Sequence, residues 1–205
     1  MTILTRQLYL ASQSPRRLEL LRQIGLAPTV LPLRQTPPRA DVDESPLAAE
    51  KAWDYVTRLA RLKAQAALRA VAGRRLLPWP IVAADTTVTL DGEILGKPRD
   101  AAEASAWLRR YSGRSHTVLT AVAVAYQDLV RVAVSESTVR FGHLSEQEIS
   151  RYVASGEPFD KAGGYGIQGL AAAYIEHLAG SYSGVMGLPL YETVELLKRV
   201  GFEAR

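Results

Sequence analysis

An acid stands where a strand should carry apolar residues. Residues 81–98, IVAADTTVTLDGEILGKP, read as a strand rich in Val, Thr and Ile, a two-residue Asp91-Gly92 turn and a short return strand. Val82, Ala84, Val88 and Leu90 alternate toward one face, which leaves Asp85 as a carboxylate inside a strand, where acids are depleted. Counting back from the turn pairs Leu90 with Glu93 and sets Lys97 opposite Thr86, so an acid and an ammonium converge at the open end of one hairpin. Pro98 cannot donate to a ladder, and the pairing is expected to stop near Gly96. Two readings fit: a surface salt bridge, which is common and worth little, or a working acid–cation pair.

A second conflict lies near the start. Gln7 to Ser12 reads as a short apolar strand, and Ser14-Pro15 supplies an N-cap and a first-turn proline for a helix that buries Leu18, Leu21 and Ile24 and stops at Gly25. Arg16 and Arg17 fall in the first turn, where the helix dipole prefers negative charge. A bound anion would resolve the conflict, because free backbone N–H groups, serine hydroxyls and guanidinium forks all suit phosphate or carboxylate; a frustrated but solvated turn is the plain alternative. A third conflict is Lys63, on the inner stripe Ala52, Val56, Leu59, Lys63, Ala67 of a long helix expected from Ser45-Pro46 to about Ala72. Such a lysine either snorkels to water or reaches a buried anion.

The elements that hold these residues follow in order. A proline-rich excursion over residues 26–45, with Arg34 and Arg39, ends in Asp41, Asp43 and Glu44. After the long helix, Gly73 to Pro80 is a linker into the hairpin. Asp100 and Glu103 form a capping box for a helix that ends at Gly113, and Ser145 and Glu148 form another for a helix reaching Ala154. Between them run two long strands, Ser115 to Tyr126 and Leu129 to Phe141, joined at Gln127-Asp128. Gly156 to Gly169, GEPFDKAGGYGIQG, is a glycine-rich loop; Leu170 to Leu178 reads as a strand, Ala179 to Leu188 as a loop, and Pro189 to Val200 as a closing helix.

Composition narrows the chemistry. With 205 residues, 47% hydrophobic and 22% charged, the chain has the length and balance of one globular domain spanning 1–205. There is no cysteine, which removes disulfides, thiolate metal sites and thiol nucleophiles. The apolar runs are too short to span a bilayer and no signal peptide is visible, so the expected setting is cytoplasmic. The net charge of +4 is spread as single arginines or pairs, which favours a small anionic ligand over nucleic acid. His116, His143 and His177 lack ligand spacing, and no nucleophile elbow is present. Cations, hydroxyls and carboxylates remain, a set suited to phosphate and a hard cation.

Taken together, LASQSPRRLELL at 10–21, RLARLKA at 58–64, ADTTV and GEILGKPRD within 84–100, SGRSHTVLTAVAV at 112–124, and DKAGGYGIQG with GSYSGVMGLPL at 160–190 resemble the Maf family of nucleoside triphosphate pyrophosphatases. The resemblance implies an α/β fold similar to the inosine triphosphate pyrophosphatases: an elongated, curved mixed sheet with flanking helices and two lobes around a central cleft. It implies hydrolysis of a nucleoside triphosphate between the α and β phosphates, with a divalent cation (Mg²⁺, Mn²⁺ or Co²⁺). Carried over residue by residue, Asp85 matches the catalytic acid; Lys63 and Lys97, with Ser12 and Arg17, match the phosphate-handling residues; and Glu44 matches an acid associated with metal or water, so that Glu44 and Asp85 are the candidate metal ligands. Arg16, Thr86 and Gln168 resemble the branch acting on dTTP and UTP, and the Gln168 amide offers the donor and acceptor that match the O4 and N3–H edge of a pyrimidine.

The family tends to carry Asn where Gly184 stands, and residues 33–43 are longer here than in its pattern. The expected partner is a small nucleotide, with neither nucleic acid nor membrane; a homodimer is compatible with the sequence. Alternatives at this stage are a 7-methyl-GTP or purine house-cleaning pyrophosphatase, and a regulator of septum formation or cell division that acts by binding.

Overall fold

The computed structural model describes residues 7–34 and 40–202; Arg39 lies outside them. The fold is mixed α/β. Its sheet runs β2-β1-β3-β5-β6-β7, with β4 also paired to β3. The strands are β1 (Tyr9–Leu10), β2 (Thr29–Val30), β3 (Ile81–Leu90), β4 (Glu93–Leu95), β5 (Ser115–Tyr126), β6 (Leu129–Phe141) and β7 (Ile175–Ala179). β1 lies parallel to β2 and β3, and the remaining pairings are antiparallel. The helices are α1 (Pro15–Gln23), α2 (Ala52–Gly73), α3 (Ala101–Tyr111), α4 (Glu146–Ala154), α5 (Tyr182–Met186) and α6 (Leu190–Arg199).

Alternation along β3 and β5 assigns their side chains to two layers. On one face, Ile81 and Ala83 meet Ala121, Ala123 and Ala125 beneath α2, which buries Val56, Ala60, Ala64, Ala67 and Val71. Small residues on both surfaces let this helix lie close to the sheet. On the other face, Val82, Ala84, Val122 and Val124 pack against Leu20 and Leu21 of α1 and Leu196 and Leu197 of α6. The far end is filled by Trp107, Leu108 and Tyr111 of α3 and Ile149 and Tyr152 of α4 against Val88, Val118, Val139 and Phe141. Among the described residues, no helix is long and apolar enough to cross a membrane.

One detail of the sheet matters most for the site. β5 covers one edge of β3 from Ile81 to Thr89. On the opposite edge β1 pairs only with Ile81 and Val82, and β4 only with Val88 to Leu90. Among the described residues no strand lies beside 83–87 there, and Asp85 is at the centre of that notch. The hairpin closes as expected, Leu90 facing Glu93 across Asp91 and Gly92, both with positive φ, and pairing ends at Leu95 before Pro98.

Four local expectations need correction. α2 starts at Ala52, not at Ser45-Pro46, because Ala49 takes a φ of 57° and the Leu47 N–H is drawn to the Glu50 carboxylate instead of a helical carbonyl. Leu170–Tyr174 is a 3-10 turn, not strand, with the Leu170 N–H donated to Glu157 and the Ala172 N–H to the Gly169 carbonyl. The loop expected at Ala179 to Leu188 contains α5, capped by the Ser181 hydroxyl accepting from the Gly184 N–H. The Asp100 box is half-formed: Asp100 accepts from the Glu103 N–H, but the Glu103 carboxylate turns to the N–H and guanidinium of Arg99. The Ser145–Glu148 box forms in full.

His116 is buried against the rings of Tyr111, Phe141 and Tyr165, with Nε2 2.7 Å from the Tyr165 hydroxyl and Nδ1 unpartnered. Burial pushes its pKa down to about 4. An unfolded chain therefore takes up a proton below pH ~6.5 that the folded chain refuses, so stability falls as pH drops and the loss levels off below about 4, at roughly 3 kcal/mol. Urea midpoints measured from pH 7 to 4 are expected to fall for the parent and to fall less steeply for His116→Gln; equal slopes would contradict this assignment.

Candidate active site

Lys63 neither snorkels nor sits in the core. Its ammonium lies 2.7 Å from Oδ1 of Asp85 and 2.9 Å from Oε1 of Glu44. α2 positions it: Ala60, Ala64 and Ala67 are buried around it, and the lysine reaches from that stripe to Asp85 in the notch of the sheet. The side chains of Lys63 and Asp85 are 14% and 11% exposed, and that of Glu44 is 49% exposed. Asp85 faces α2 because Ile81 and Ala83, four and two residues earlier on the strand, also do. The ammonium that reaches Asp85 is therefore Lys63. Lys97 is exposed in the bend after β4, and within the described residues it forms no ion pair, so the convergence expected at the hairpin's open end is made by a helix instead.

Thr86 points the other way, toward α1, and there it meets Arg17. The guanidinium of Arg17 donates to the Gly187 carbonyl (2.7 Å), to the Ser12 hydroxyl (3.3 Å) and to the Thr86 hydroxyl (3.3 Å). Burial pushes this arginine below its ordinary pKa, and the negative charge of Asp85 opposes that shift more than Glu44 does. Thr120 approaches both the Gly184 carbonyl, at 2.7 Å, and Thr86, at 3.1 Å. A hydroxyl has one proton, and the carbonyl can only accept, so Thr120 donates to Gly184 and Thr86 donates to Thr120. Thr86 is thereby left accepting from Arg17. Sequence reasoning missed Thr120 and the Gly184 and Gly187 carbonyls; backbone acceptors leave no mark in a sequence.

The first turn of α1 carries no acid; Ser14 sits at the N-cap position as expected, but its hydroxyl makes no capping bond, and Ser12 supplies the local hydroxyl instead, accepting the Ser14 N–H at 3.1 Å. Ser12, Arg17, Glu44 and Lys63 line one small cleft with Arg34. Arg16 leans away from it to Asp160, at 3.3 Å, which also holds Lys161. That pair ties α1 to the glycine-rich segment bearing the exposed Gln168. Gly163 seats this segment: it has a φ of 71°, its N–H donates to the Gly96 carbonyl, and an added Cβ would lie 2.6 Å from Val88. Arg16, Thr86 and Gln168 are thus not joined by direct contacts; Thr86 is held by Arg17.

Among the described residues, no group of three or more His, Cys, Asp and Glu could by itself hold a metal ion. Two carboxylate oxygens, from Asp85 and Glu44, nonetheless converge on a single positive centre, now the Lys63 ammonium. That donor set fits a hard cation that completes its shell with water and phosphate oxygens.

Removing one partner of a buried pair strands the other charge. Lys63→Met is expected to lower unfolding stability by about 3–5 kcal/mol at neutral pH, and Asp85→Asn added to it should restore much of the loss. Urea denaturation of the four proteins checks this; a Lys63→Met chain as stable as the parent would contradict it.

The family model described as Maf-like protein matches residues 7–200. The dTTP/UTP pyrophosphatase of Ralstonia nicotianae is 58% identical over 93% of this chain and 92% of its own length. Those of Nitrosospira multiformis (51%; 97% of this chain and 96% of the relative) and Bordetella parapertussis (53%; 95% and 93%) are similarly near full length. Among solved structures, the Staphylococcus aureus Ham1 protein aligns with 66% of this chain and 71% of its own, with a TM-score of 0.45 and 17% identity. The span of the family match and the identity of these relatives lead to one conclusion: the chain belongs to the Maf-like protein family.

Proposed function

We propose that this chain is a nucleoside triphosphate pyrophosphatase that hydrolyses dTTP and UTP to the monophosphate and pyrophosphate. The relatives' names and near full-length identity support the substrate class. The observation that carries the chemistry is the Lys63 ammonium shared by Asp85 and Glu44 in the notch of the sheet, beside Arg17 and Ser12.

In this reading the triphosphate enters the cleft, the Ser12 hydroxyl and Arg17 grip it, and Lys97 reaches it from the bend after β4. Asp85, once its hold on Lys63 is shared with the substrate, orients a water toward the α phosphorus and takes its proton, a contribution typically worth about 10²- to 10⁴-fold. Lys63 and Arg17 face the charge that grows on the departing pyrophosphate. Glu44 and Asp85 would hold a divalent cation, which when bound offsets that same charge. Gln168 reads the pyrimidine edge with its amide, and Arg16 and Thr86 shape the base side of the cleft.

A panel of nucleoside triphosphates assayed for released pyrophosphate with Mg²⁺, Mn²⁺ and Co²⁺ should show dTTP and UTP turned over faster than GTP, 7-methyl-GTP and inosine triphosphate. Asp85→Asn should still bind UTP while losing at least ~10²-fold in kcat. Preference for a purine, or full turnover by Asp85→Asn, would contradict the reading.

A further inference from the structure

α2 does more than deliver Lys63. The turn that carries Glu44 is strapped to the helix by side chains one to two turns before that lysine. Arg58 grips the Glu50 carboxylate at two points, Nε to Oε1 at 2.6 Å and Nη2 to Oε2 at 2.7 Å, and Glu50 is only 7% exposed at its side chain. The same Nη2 donates to the Ser45 carbonyl at 3.1 Å. The Tyr55 hydroxyl donates to the carbonyl of Glu44 itself at 2.9 Å, and Glu50 Oε2 accepts the Leu47 N–H at 3.0 Å. Two consecutive backbone carbonyls, those of Glu44 and Ser45, are therefore fixed to α2 from outside the turn.

This is more than a surface turn needs for its own sake. Ala49 within it adopts a φ of 57°, a conformation a non-glycine residue keeps only when its surroundings over-determine it. The guanidinium holds the Glu50 carboxyl down at about 2, so the grip stays charged over the working pH range. The Tyr55 hydroxyl is the second anchor, donating to the Glu44 carbonyl. Both anchors and Lys63 belong to one rigid helix, and the Glu44 carboxylate meets the ammonium only at the end of that path.

We propose that Arg58 and Glu50 are positioning residues: their clamp holds the Ser45 carbonyl and the Leu47 N–H and so fixes the backbone next to Glu44, whose carboxylate then meets Lys63 and presents to the substrate-bound cation. The inference rests on the role given to Glu44 above. Support from outside the first ring of site groups is typically worth about 10- to 100-fold in activity.

The test is a double-mutant cycle between Arg58→Gln and Glu44→Gln, read once as kcat on UTP with Mg²⁺ and once as urea stability. If the clamp works through Glu44, Arg58→Gln lowers kcat about 10- to 100-fold with KM for UTP within about twofold, and the double variant is no slower than Glu44→Gln alone. The stability losses are likewise less than additive, and Arg58→Lys, which keeps the charge but not the two-point grip, recovers only part of kcat. Losses that multiply in kcat and add in stability would overturn the proposal, as would a normal kcat in Arg58→Gln. A parent that releases no pyrophosphate from UTP would instead sink the functional reading, and the stability cycle alone would then decide the clamp.

Discussion

A carboxylate buried in the middle of a sheet has to be neutralised, and much of this molecule is arranged to do that without blocking access to it. Asp85 cannot be left alone there at any acceptable cost. The partner is an ammonium carried on a helix of 22 residues whose alanine-rich face lets it lie close over β3 and β5. Two carboxylates around one lysine leave that cluster with an excess of negative charge, while Arg17 brings positive charge from the opposite layer. A polyanion and a small cation are the ligands such a balance accommodates.

The gap in the sheet gives this ion cluster its place beside β3. Because β1 stops after Leu10 and β4 begins its pairing only at Val88, the edge of β3 between them is open. Consecutive residues on that edge face different layers: Asp85 meets α2, and Thr86 meets the arginine of α1. From its two faces one strand thus holds the ammonium and the guanidinium that line one small cleft. The short helix α5 and the glycine that ends it contribute through carbonyls, Gly184 and Gly187, that aim Thr120 and Arg17.

What the sequence made legible was chiefly local. The Asp91-Gly92 hairpin and its register, both ends of the two long strands, and the Ser145–Glu148 box follow from turn chemistry, period-two alternation and capping within a few residues. The misread segments are those whose backbone groups are claimed from elsewhere: Leu170 by Glu157, and the residues before α2 by Glu50 and Arg58. Lys63 on an apolar stripe and arginines at a helix start were visible as conflicts; Lys63 and Arg17 line the cleft, while Arg16 turns away to Asp160. Which ammonium meets Asp85 was not visible, since it depends on how a helix crosses the sheet. Arg58 opens the RLARLKA motif, but its clamp on Glu50 was not legible, since it depends on how the turn before α2 folds back on the helix.

The central claim is that water directed by Asp85 attacks the α phosphorus while the cations hold the departing pyrophosphate. Hydrolysis of UTP in ¹⁸O-labelled water, followed by mass spectrometry of both products, tests it most directly. The account predicts one label in the nucleoside monophosphate and none in the pyrophosphate. Label in the pyrophosphate would mean attack at the β phosphorus and would contradict it.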